Sequence, residues 1–317
     1  MDDVEIIETV NKAIENYLYE KEPSLLYDAV RYLPFAGGKR FRPTIAYLSC
    51  EAVGGDGIKA IPFAVALELI HTFTLIHDDI MDKDEERRGL PAVHVKFGEN
   101  IAILAGDTLF AKAFEVASYL KDDSIAKKIM RNLAIMAKEI CEGQEMDLSF
   151  EEIEYIDEKK FLEMIEKKTA KMFEHAAKGG AIIGGGNKSE VEALKNYGKN
   201  IGMAFQIWDD CLDVIGKDIG KPLGSDIKEG KKTLLYIYAY RNSDNKEWLK
   251  KYGNENASEE EIKEMIKFFE EIGAIEYAKK KAIEYAEKAK NYLNVLKDSE
   301  AKEKLKEIAE YTVSRKK

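Results

Sequence analysis

The stretch that decides the fold is residues 61–82, "IPFAVALELIHTFTLIHDDIMD". Residues 61–77 are apolar on nearly every side of a helix, which indicates a helix in the centre of the molecule rather than on its surface. At its end, Asp78 and Asp82 lie one helical turn apart, and Asp79 lies about 100° around the helix from Asp78. The three carboxylates form one oxygen-rich edge, and like charges this close repel unless a cation joins them.

Mg²⁺ is the cation that suits this edge, because it takes one or two carboxylates together with waters and substrate phosphates. A solvated acidic helix end is the alternative for this motif alone. The pattern recurs in "FQIWDDCLD", residues 205–213, with Asp209, Asp210 and Asp213 in the same spacing. Two such edges facing one another would form a cage for several Mg²⁺ ions and one diphosphate. The implied chemistry is ionisation of a diphosphate ester.

Cationic residues accompany the acidic motifs. "GGKRFRP", residues 37–43, places Lys39, Arg40 and Arg42 just before a predicted helix, and Arg87 and Arg88 follow the first acidic motif. Flexible glycines and the forked donors of arginine suit phosphate oxygens. The alternative for each base alone is a surface residue paired with a nearby glutamate.

Composition limits the class of protein. The chain has 317 residues and a net charge of −10, which argues against a bulk basic surface for nucleic acid or anionic lipid. Its three cysteines form no CxxC pair, which favours a reducing compartment. The N-terminus is acidic where a signal peptide would be positive, and we expect no apolar run long enough to span a bilayer. These features predict a cytoplasmic protein.

The spacing of residues favours helices throughout. The range 92–221 contains no proline, so long helices can run there. A predicted buried face recurs at helical spacing at Ala278, Ala282, Tyr285, Ala289, Tyr292 and Leu296. The segment "TLLYIYAY", 233–240, has the composition of a strand but no alternating partner, so we predict a helix. No linker divides the chain, and we predict one all-α domain over 1–317.

Seven segments together resemble the trans-isoprenyl diphosphate synthases, the short-chain prenyl elongation enzymes. In family order they are "GGKRFRP", "IHTFTLIHDDIMD" with "RRG", "AILAGD", "GQEMDL", "KKTA", "FQIWDD" with "CLD", and "GKPLGSD" followed by "GKKT". The resemblance covers nearly the whole chain. It implies a bundle of roughly antiparallel helices around a deep central cavity, a homodimer, and Mg²⁺-dependent joining of isopentenyl diphosphate to an allylic diphosphate.

The resemblance also implies a role for individual residues. The metal ligands would be Asp78, Asp82 and Asp209, with Asp79, Asp210 and Asp213 completing the motifs and three Mg²⁺ ions bound together with the allylic diphosphate. The allylic diphosphate would be held by Arg87, Lys168, Thr169, Gln206, Lys221 and Lys231, and the isopentenyl diphosphate by Lys39, Arg42, His71 and Arg88. The residues that carry the catalysis would be Asp78, Asp79, Asp82, Lys168 and Asp209.

Product length depends in this family on residues just before the first acidic motif. Phe73 lies five residues before Asp78, about 7.5 Å along the helix, where it could block a growing tail or be an ordinary core residue. Together with the small Thr74, it resembles the archaeal-type geranylgeranyl diphosphate synthases. We therefore expect a twenty-carbon product from dimethylallyl, geranyl or farnesyl diphosphate, with farnesyl diphosphate as intermediate or co-product.

Several alternatives remain. Glu68 and His71 form an ExxH pattern that di-iron bundles also use, but the sequence supplies no second one. Gln144 and Asp147 match a cavity-lining motif or form a polar contact between helices. A terpene cyclase would carry a different second metal motif and no isopentenyl diphosphate pocket. A non-catalytic partner subunit would have lost motif residues, and none is missing.

Overall fold

The computed structural model describes residues 3–216 and 223–316, and these are mostly helical. In chain order, the α-helices are α1 (Asp3–Tyr17), α2 (Ser24–Phe35), α3 (Phe41–Ala52), α4 (Ile61–Met81), α5 (Val93–Phe97), α6 (Glu99–Ala117), α7 (Asp123–Glu151), α8 (Glu158–Ile165), α9 (Lys171–Ile183), α10 (Lys188–Ile215), α11 (Ser225–Glu229), α12 (Leu234–Asn242), α13 (Glu259–Glu271), α14 (Ala274–Tyr292) and α15 (Glu300–Thr312). A short antiparallel ribbon pairs β1 (Glu86–Arg87) with β2 (Leu90–Pro91). The predicted all-α class is confirmed.

Tighter and wider turns join some helices. The 3₁₀ turns are Gly57–Ala60, Glu247–Lys250 and Leu293–Val295. A π-helical turn, Glu166–Ala170, lies between α8 and α9. A π-helical turn inserts an extra residue into an otherwise regular helix, and π-helical turns are frequent at functional sites.

Within the described residues the chain forms two compact units. The first comprises Met1–Ala137, His175–Lys195 and Val295–Glu303, and the second comprises Lys138–Glu174, Asn196–Asn294 and Lys304–Lys317.

In the first unit, α4 packs along α6 and against α3. Gly106 of α6 makes this approach possible, because a Cβ atom there would overlap the ring of His77. The apolar residues of α4, among them Phe63, Leu67 and Ile70, are fully buried. The prediction of a central helix is confirmed for this unit.

The same helix corrects one expectation from the sequence. Residues Gly57–Met81 contain an 18-residue window whose mean hydropathy, 1.5, is high enough for a membrane-spanning helix, so the expectation that no run is long enough was wrong. In the structure 67% of this window is buried inside the protein. The high hydropathy therefore reflects a core position, where a helix must be apolar on all sides.

The second unit has its own apolar core. It is formed by α8, α10, α12, α13 and α14, with Phe161, Ile207 and Phe269 among the buried side chains. Residues 234–242 form α12, which confirms the helix predicted for "TLLYIYAY". The predicted apolar face of α14 is buried at Ala278, Ala282 and Ala289, whereas Tyr292 is 40% exposed; Leu296 is buried as predicted but lies beyond the helix end.

Candidate active site

The first acidic motif lies at the C-terminal end of α4. Asp78 and Asp79 occupy its last turn, and Asp82 follows as the capping residue. The amide of Asp82 donates to the carbonyl of Asp78 at 2.8 Å, so the helical spacing continues through the motif. Asp78 and Asp82 are therefore one turn apart, as the sequence predicts.

Asp79 is buried and paired with Arg87. Its Oδ1 accepts hydrogen bonds from Nε of Arg87, at 2.7 Å, and from Nη2. Arg87 also reaches Asp84 at 3.1 Å. Burial raises the pKa of Asp79, and the hydrogen bond from Arg87 offsets part of that rise. The predicted ligand of the allylic diphosphate thus binds a member of the predicted metal motif.

Arg42 and His71 are brought together from α3 and α4. Nη1 of Arg42 lies 3.2 Å from Nε2 of His71. Because arginine can only donate, Nε2 accepts and the neutral ring carries its proton on Nδ1. Burial lowers the pKa of His71, and the charges of Arg42 and Arg88 lower it further. His71 is therefore neutral near pH 7 and leaves the positive charge of this group on the arginines.

Arg88 folds back to the glycine loop before α3. Its Nη1 donates to the carbonyl of Gly37, and a Cβ atom on Gly38 would lie 3.2 Å from its guanidinium carbon. Gly38 has φ of +147°, which glycine adopts readily and other residues avoid. The loop also carries Lys39, which is exposed. Lys39, which lies in this loop, and Arg88, which contacts it, are two of the four residues predicted to bind isopentenyl diphosphate.

Arg40, a neighbour of these bases, is committed to the core. Its side chain is 1% exposed and pairs with Glu68 at 2.5 Å, and it also donates to Asn11 and to the carbonyl of Pro34. Glu68 is buried by the same contact. The ExxH alternative loses support, because the Arg40 and Glu68 side chains are only 1% and 3% exposed, so this carboxylate is enclosed with its arginine in the core.

Phe73 lies on α4 among other aromatic rings. Its ring centroid is 5.2 Å from that of Phe110 on α6, and the Phe110 ring is 5.1 Å from that of Phe114. His77 packs edge-on against Phe73 at 4.7 Å. Thr74 beside it donates to the carbonyl of His71 at 2.8 Å. The aromatic group therefore begins directly below the first acidic motif along α4.

The second acidic motif lies within α10, in the second unit. Asp210 is buried, and its Oδ1 accepts a hydrogen bond from the side-chain amide nitrogen of Gln206 at 2.9 Å. Asp213 accepts from the amide and hydroxyl groups of Ser225 at 3.1 and 2.7 Å, and from the amide of Asp226. Burial raises the pKa of both carboxyls. Asp209 differs, since it is 41% exposed and pairs with Arg315 at 2.7 Å.

The π-helical turn presents Lys168 and Thr169. Lys168 pairs with Asp147 of α7 at 2.5 Å, and Thr169 donates to the amide oxygen of Gln206 at 2.8 Å. Gly143 allows the close approach, because a Cβ atom there would overlap the backbone of Lys168. Gln206 links Thr169 to Asp210, so three of the predicted site residues form one hydrogen-bonded chain. Of the two alternatives that the sequence left open for Asp147, the structure shows the polar contact between helices, since its partner Lys168 lies on the π-helical turn.

Lys231 follows α11, and one contact of its side chain and one of its backbone hold it in place. It pairs with Glu229 at 2.8 Å, and the hydroxyl of Tyr252 donates to its carbonyl at 2.5 Å. Burial acts to lower the pKa of Lys231, but the charges of Asp226 and Glu229 outweigh it and raise the pKa. Lys221 lies outside the described residues. The pairing of Lys231 with Glu229 has no signal in the sequence beyond the neighbouring charges.

The donor set fits a hard divalent cation that is shared with a substrate. Among residues 3–216 and 223–316, no three acidic, histidine or cysteine side chains form a ready-made metal cage. Mg²⁺ does not need one, because waters and substrate phosphates complete its shell. The buried Oδ2 of Asp79 has no hydrogen-bond partner in this part of the chain. An incoming cation or its bound water would satisfy that oxygen.

Known proteins resemble this chain over nearly its whole length. Residues 23–269 match the family model described as polyprenyl synthetase. The chain is 48% identical over 310 residues to the geranylgeranyl pyrophosphate synthase of Geoglobus acetivorans, covering 96% of each chain. It also resembles the crystal structure of the geranylgeranyl pyrophosphate synthetase from Pyrococcus horikoshii, with a TM-score of 0.93, 42% identity, and 99% and 98% of the two chains covered.

A further solved structure is informative about ligands. The polyprenyl synthase of Caulobacter crescentus, crystallised with calcium and isoprenyl diphosphate, is 32% identical to this chain, with a TM-score of 0.90. The match covers 99% of this chain and 97% of that one. That relative binds a divalent cation and an isoprenyl diphosphate.

Proposed function

The chain belongs to the polyprenyl synthetase family, and from this premise we propose that it is a Mg²⁺-dependent geranylgeranyl diphosphate synthase. It would condense isopentenyl diphosphate with dimethylallyl, geranyl or farnesyl diphosphate, with farnesyl diphosphate as intermediate or co-product. The observation that carries the proposal is that each unit holds an acidic DDxxD motif with cationic side chains bound to it. Arg87 forms an ion pair with Asp79, and Arg315 forms an ion pair with Asp209.

The allylic diphosphate is the group that must leave. Three bound Mg²⁺ ions would neutralise the negative charge that builds on the leaving oxygen. We propose Asp78, Asp82 and Asp209 as its direct ligands, with Asp79, Asp210 and Asp213 supporting them. The bases proposed to bind this diphosphate, together with Thr169 and Gln206, are Arg87, Lys168, Lys221 and Lys231.

The described members of this group are held in place by the protein's own carboxylates. Asp147 holds Lys168 and Glu229 holds Lys231. These contacts position the ammonium groups before the substrate arrives, which lowers the entropic cost of binding it.

The isopentenyl diphosphate stays esterified and needs only fixed cations. We propose that Lys39, Arg42, His71 and Arg88 bind it without metal. Neutral His71 accepts from Arg42, so it orients that guanidinium without adding a charge of its own. The double bond of isopentenyl diphosphate then attacks the allylic carbocation, and a proton is lost to the released diphosphate. No nucleophile from the protein is required.

Product length would be set in the first unit. The growing chain would run from the first acidic motif along α4 towards Phe73, whose ring packs against Phe110. Two aromatic rings in contact make a larger barrier than one, and the contact between them is itself favourable. A twenty-carbon product, with Thr74 leaving room above the barrier, is the proposal.

Assembly and location are part of the same proposal. We propose a homodimer whose chains each act as one synthase domain, 1–317, in the cytoplasm, with no nucleic-acid partner. Ile103 and Leu104 of α6 support a dimer, since these apolar side chains are 39% and 50% exposed on a helix that packs against α4.

The test is to incubate the purified protein with Mg²⁺, labelled isopentenyl diphosphate and, separately, dimethylallyl, geranyl and farnesyl diphosphates. The dephosphorylated products are then resolved by chain length. We expect products that end at twenty carbons and that EDTA abolishes. Products that stop at fifteen carbons or run well beyond twenty would overturn the assigned length only. No incorporation from any starter would overturn the activity and favour a non-catalytic partner subunit.

A further inference from the structure

The guanidinium of Arg315 binds a carboxylate of the second acidic motif. Its Nη2 lies 2.7 Å from Oδ1 of Asp209. The side chain of Arg315 is 4% exposed, whereas that of Asp209 is 41% exposed. A buried cation therefore neutralises the one carboxylate of this motif that solvent reaches well, while Asp210 and Asp213 are buried.

The position of Arg315 is built by several contacts. Nη2 also donates to the carbonyl of Phe205 at 3.1 Å, and Nε donates to the carbonyl of Thr312 at 3.3 Å. The guanidinium carbon lies 4.0 Å from the centroid of the Phe205 ring. The indole N–H of Trp208 donates to the carbonyl of Arg315 at 3.0 Å. Both the charge and the backbone of Arg315 are thus bound to α10.

We propose that Arg315 is a positioning residue of the metal site: it occupies Oδ1 of Asp209 in the metal-free protein and leaves that oxygen when a divalent cation binds there. This inference rests on the proposed function, which assigns Asp209 as a metal ligand. Mg²⁺ binds oxygen at roughly 2.1 Å. A guanidinium on the same oxygen would be a second cation within a few ångströms, and like charges so close repel.

The exchange has a structural consequence. Arg315 lies just after α15, and its amide donates to the carbonyl of Tyr311 at 3.1 Å. When the guanidinium leaves Asp209, the turn 312–316 loses its ionic contact with α10. The hydrogen bond from Trp208 to the carbonyl of Arg315 then weakens or breaks. Metal binding at Asp209 is therefore coupled to the position of this turn, and Trp208 reports it.

The first test measures binding of Mn²⁺ alone, followed by loss of the electron paramagnetic resonance signal of the free ion. Arg315→Met removes the charge but keeps an unbranched apolar chain over Phe205. We expect the apparent Kd at the second motif to fall by about three- to tenfold, since a competing cation has been removed. Arg315→Lys keeps the charge and should stay closer to wild type.

Two controls assign the effect to Asp209. Arg241→Met removes the same charge in the same unit, from a residue 4.0 Å from Glu158, and should leave the Kd unchanged. In an Asp209→Asn background, Arg315→Met should no longer tighten binding, because the shared oxygen has lost its charge. Circular dichroism establishes that each variant is folded.

A second test follows the turn directly. The chain has two tryptophans, so Trp248→Phe leaves Trp208 as the only indole. Adding Mg²⁺ with inorganic diphosphate should shift the Trp208 emission, and Arg315→Met should already show part of the shift without metal. No shift on saturation with Mg²⁺ and diphosphate would contradict the exchange even if Arg315→Met folds poorly.

The outcomes separate this inference from the proposed function. Unchanged or weaker Mn²⁺ binding by folded Arg315→Met would overturn the role of Arg315, while prenyl product formed by the wild type in parallel would still support the proposed reaction. Tighter binding by Arg315→Met without any prenyl product would support the role of Arg315 and overturn the proposed reaction.

Discussion

Phe73 is the residue on which the assigned product length depends. We predict that Phe73→Ala lengthens the product by at least one isoprene unit, because it removes the ring that contacts Phe110 below the first acidic motif. The measurement is the chain-length distribution from labelled isopentenyl diphosphate. Phe35→Ala is the control, since Phe35 lies in the same unit but is 48% exposed on α2.

An unchanged distribution in Phe73→Ala would show that this ring is an ordinary core residue. Phe110→Ala separates two further possibilities. If the two rings act as one barrier, removal of Phe110 alone should also lengthen the product, though less than removal of Phe73. A loss of activity in both variants without longer products would instead indicate damaged packing of α4 against α6.

His71 makes folding stability depend on pH. Its pKa is lowered in the folded protein by burial and by Arg42, so the unfolded chain binds a proton more readily below about pH 6.5. Above that pH His71 therefore does not affect the free energy of unfolding. As the pH falls below it, protonation of His71 in the unfolded chain lowers the free energy of unfolding. At pH 5.5 the loss is about 1.4 kcal/mol if the folded ring stays neutral.

The measurement compares urea unfolding of the wild type and of His71→Gln between pH 7.5 and pH 5.5. We predict that acidification destabilises the wild type more than the variant, by roughly the 1.4 kcal/mol above. Equal pH dependence in the two proteins would show that the folded protein does not keep His71 neutral by burial and by the neighbouring arginines. Other acidic groups titrate in both proteins and cancel in the comparison.

At the scale of elements, α7 and the π-helical turn depend on Gly143. Exchanging glycine for alanine inside a helix normally stabilises it by up to about 1 kcal/mol. Here we predict the opposite sign, a loss of about 1–3 kcal/mol, because the new Cβ atom would overlap the backbone of Lys168. Thermal unfolding measures it, with Leu148→Ala, a partly exposed position on the same helix, as control.

Activity should fall together with stability in Gly143→Ala. The displaced π-helical turn carries Lys168 and Thr169, both proposed to bind the allylic diphosphate. We expect a higher KM for the allylic substrate and a lower kcat. A variant with wild-type stability and kinetics would mean that α7 and the turn can separate without consequence.

The helices could be predicted from the sequence because their causes are local. The all-round apolar character of 61–77 requires a buried helix, and the spacing of Ala278, Ala282 and Ala289 requires a buried helical face. The π-helical turn could not be predicted, since it depends on the approach of α7 at Gly143. That contact joins residues far apart in the chain.

The ion pairs within the candidate site were also beyond prediction. The motif residues were evident, but nothing in "GGKRFRP" distinguishes Arg40, which is buried against Glu68, from Arg42, which binds His71. In the structure Arg40 precedes α3 with a left-handed backbone, φ +48°, whereas Arg42 lies in the first turn of the helix. Likewise, the basic end of the chain gave no sign that Arg315 pairs with Asp209.

For the whole molecule, we predict a homodimer that depends on α6. Leu104→Lys places a charge on a helix face that we expect a second chain to cover, so the variant should be monomeric or much weaker as a dimer. Analytical ultracentrifugation measures the mass. Val95→Lys, at an equally exposed apolar residue of the first unit, should remain dimeric. A monomeric wild type would contradict the assembly but not the reaction.

The central claim is that both acidic motifs serve one Mg²⁺-dependent condensation. The most direct measurement is the rate of diphosphate release from farnesyl and isopentenyl diphosphates with Mg²⁺ for wild type, Asp78→Asn and Asp209→Asn. Asp244→Asn, an exposed position outside both motifs, is the control. We predict that kcat falls by about 100-fold or more in each motif variant and is unchanged in the control. A wild-type rate in either folded motif variant would contradict the claim.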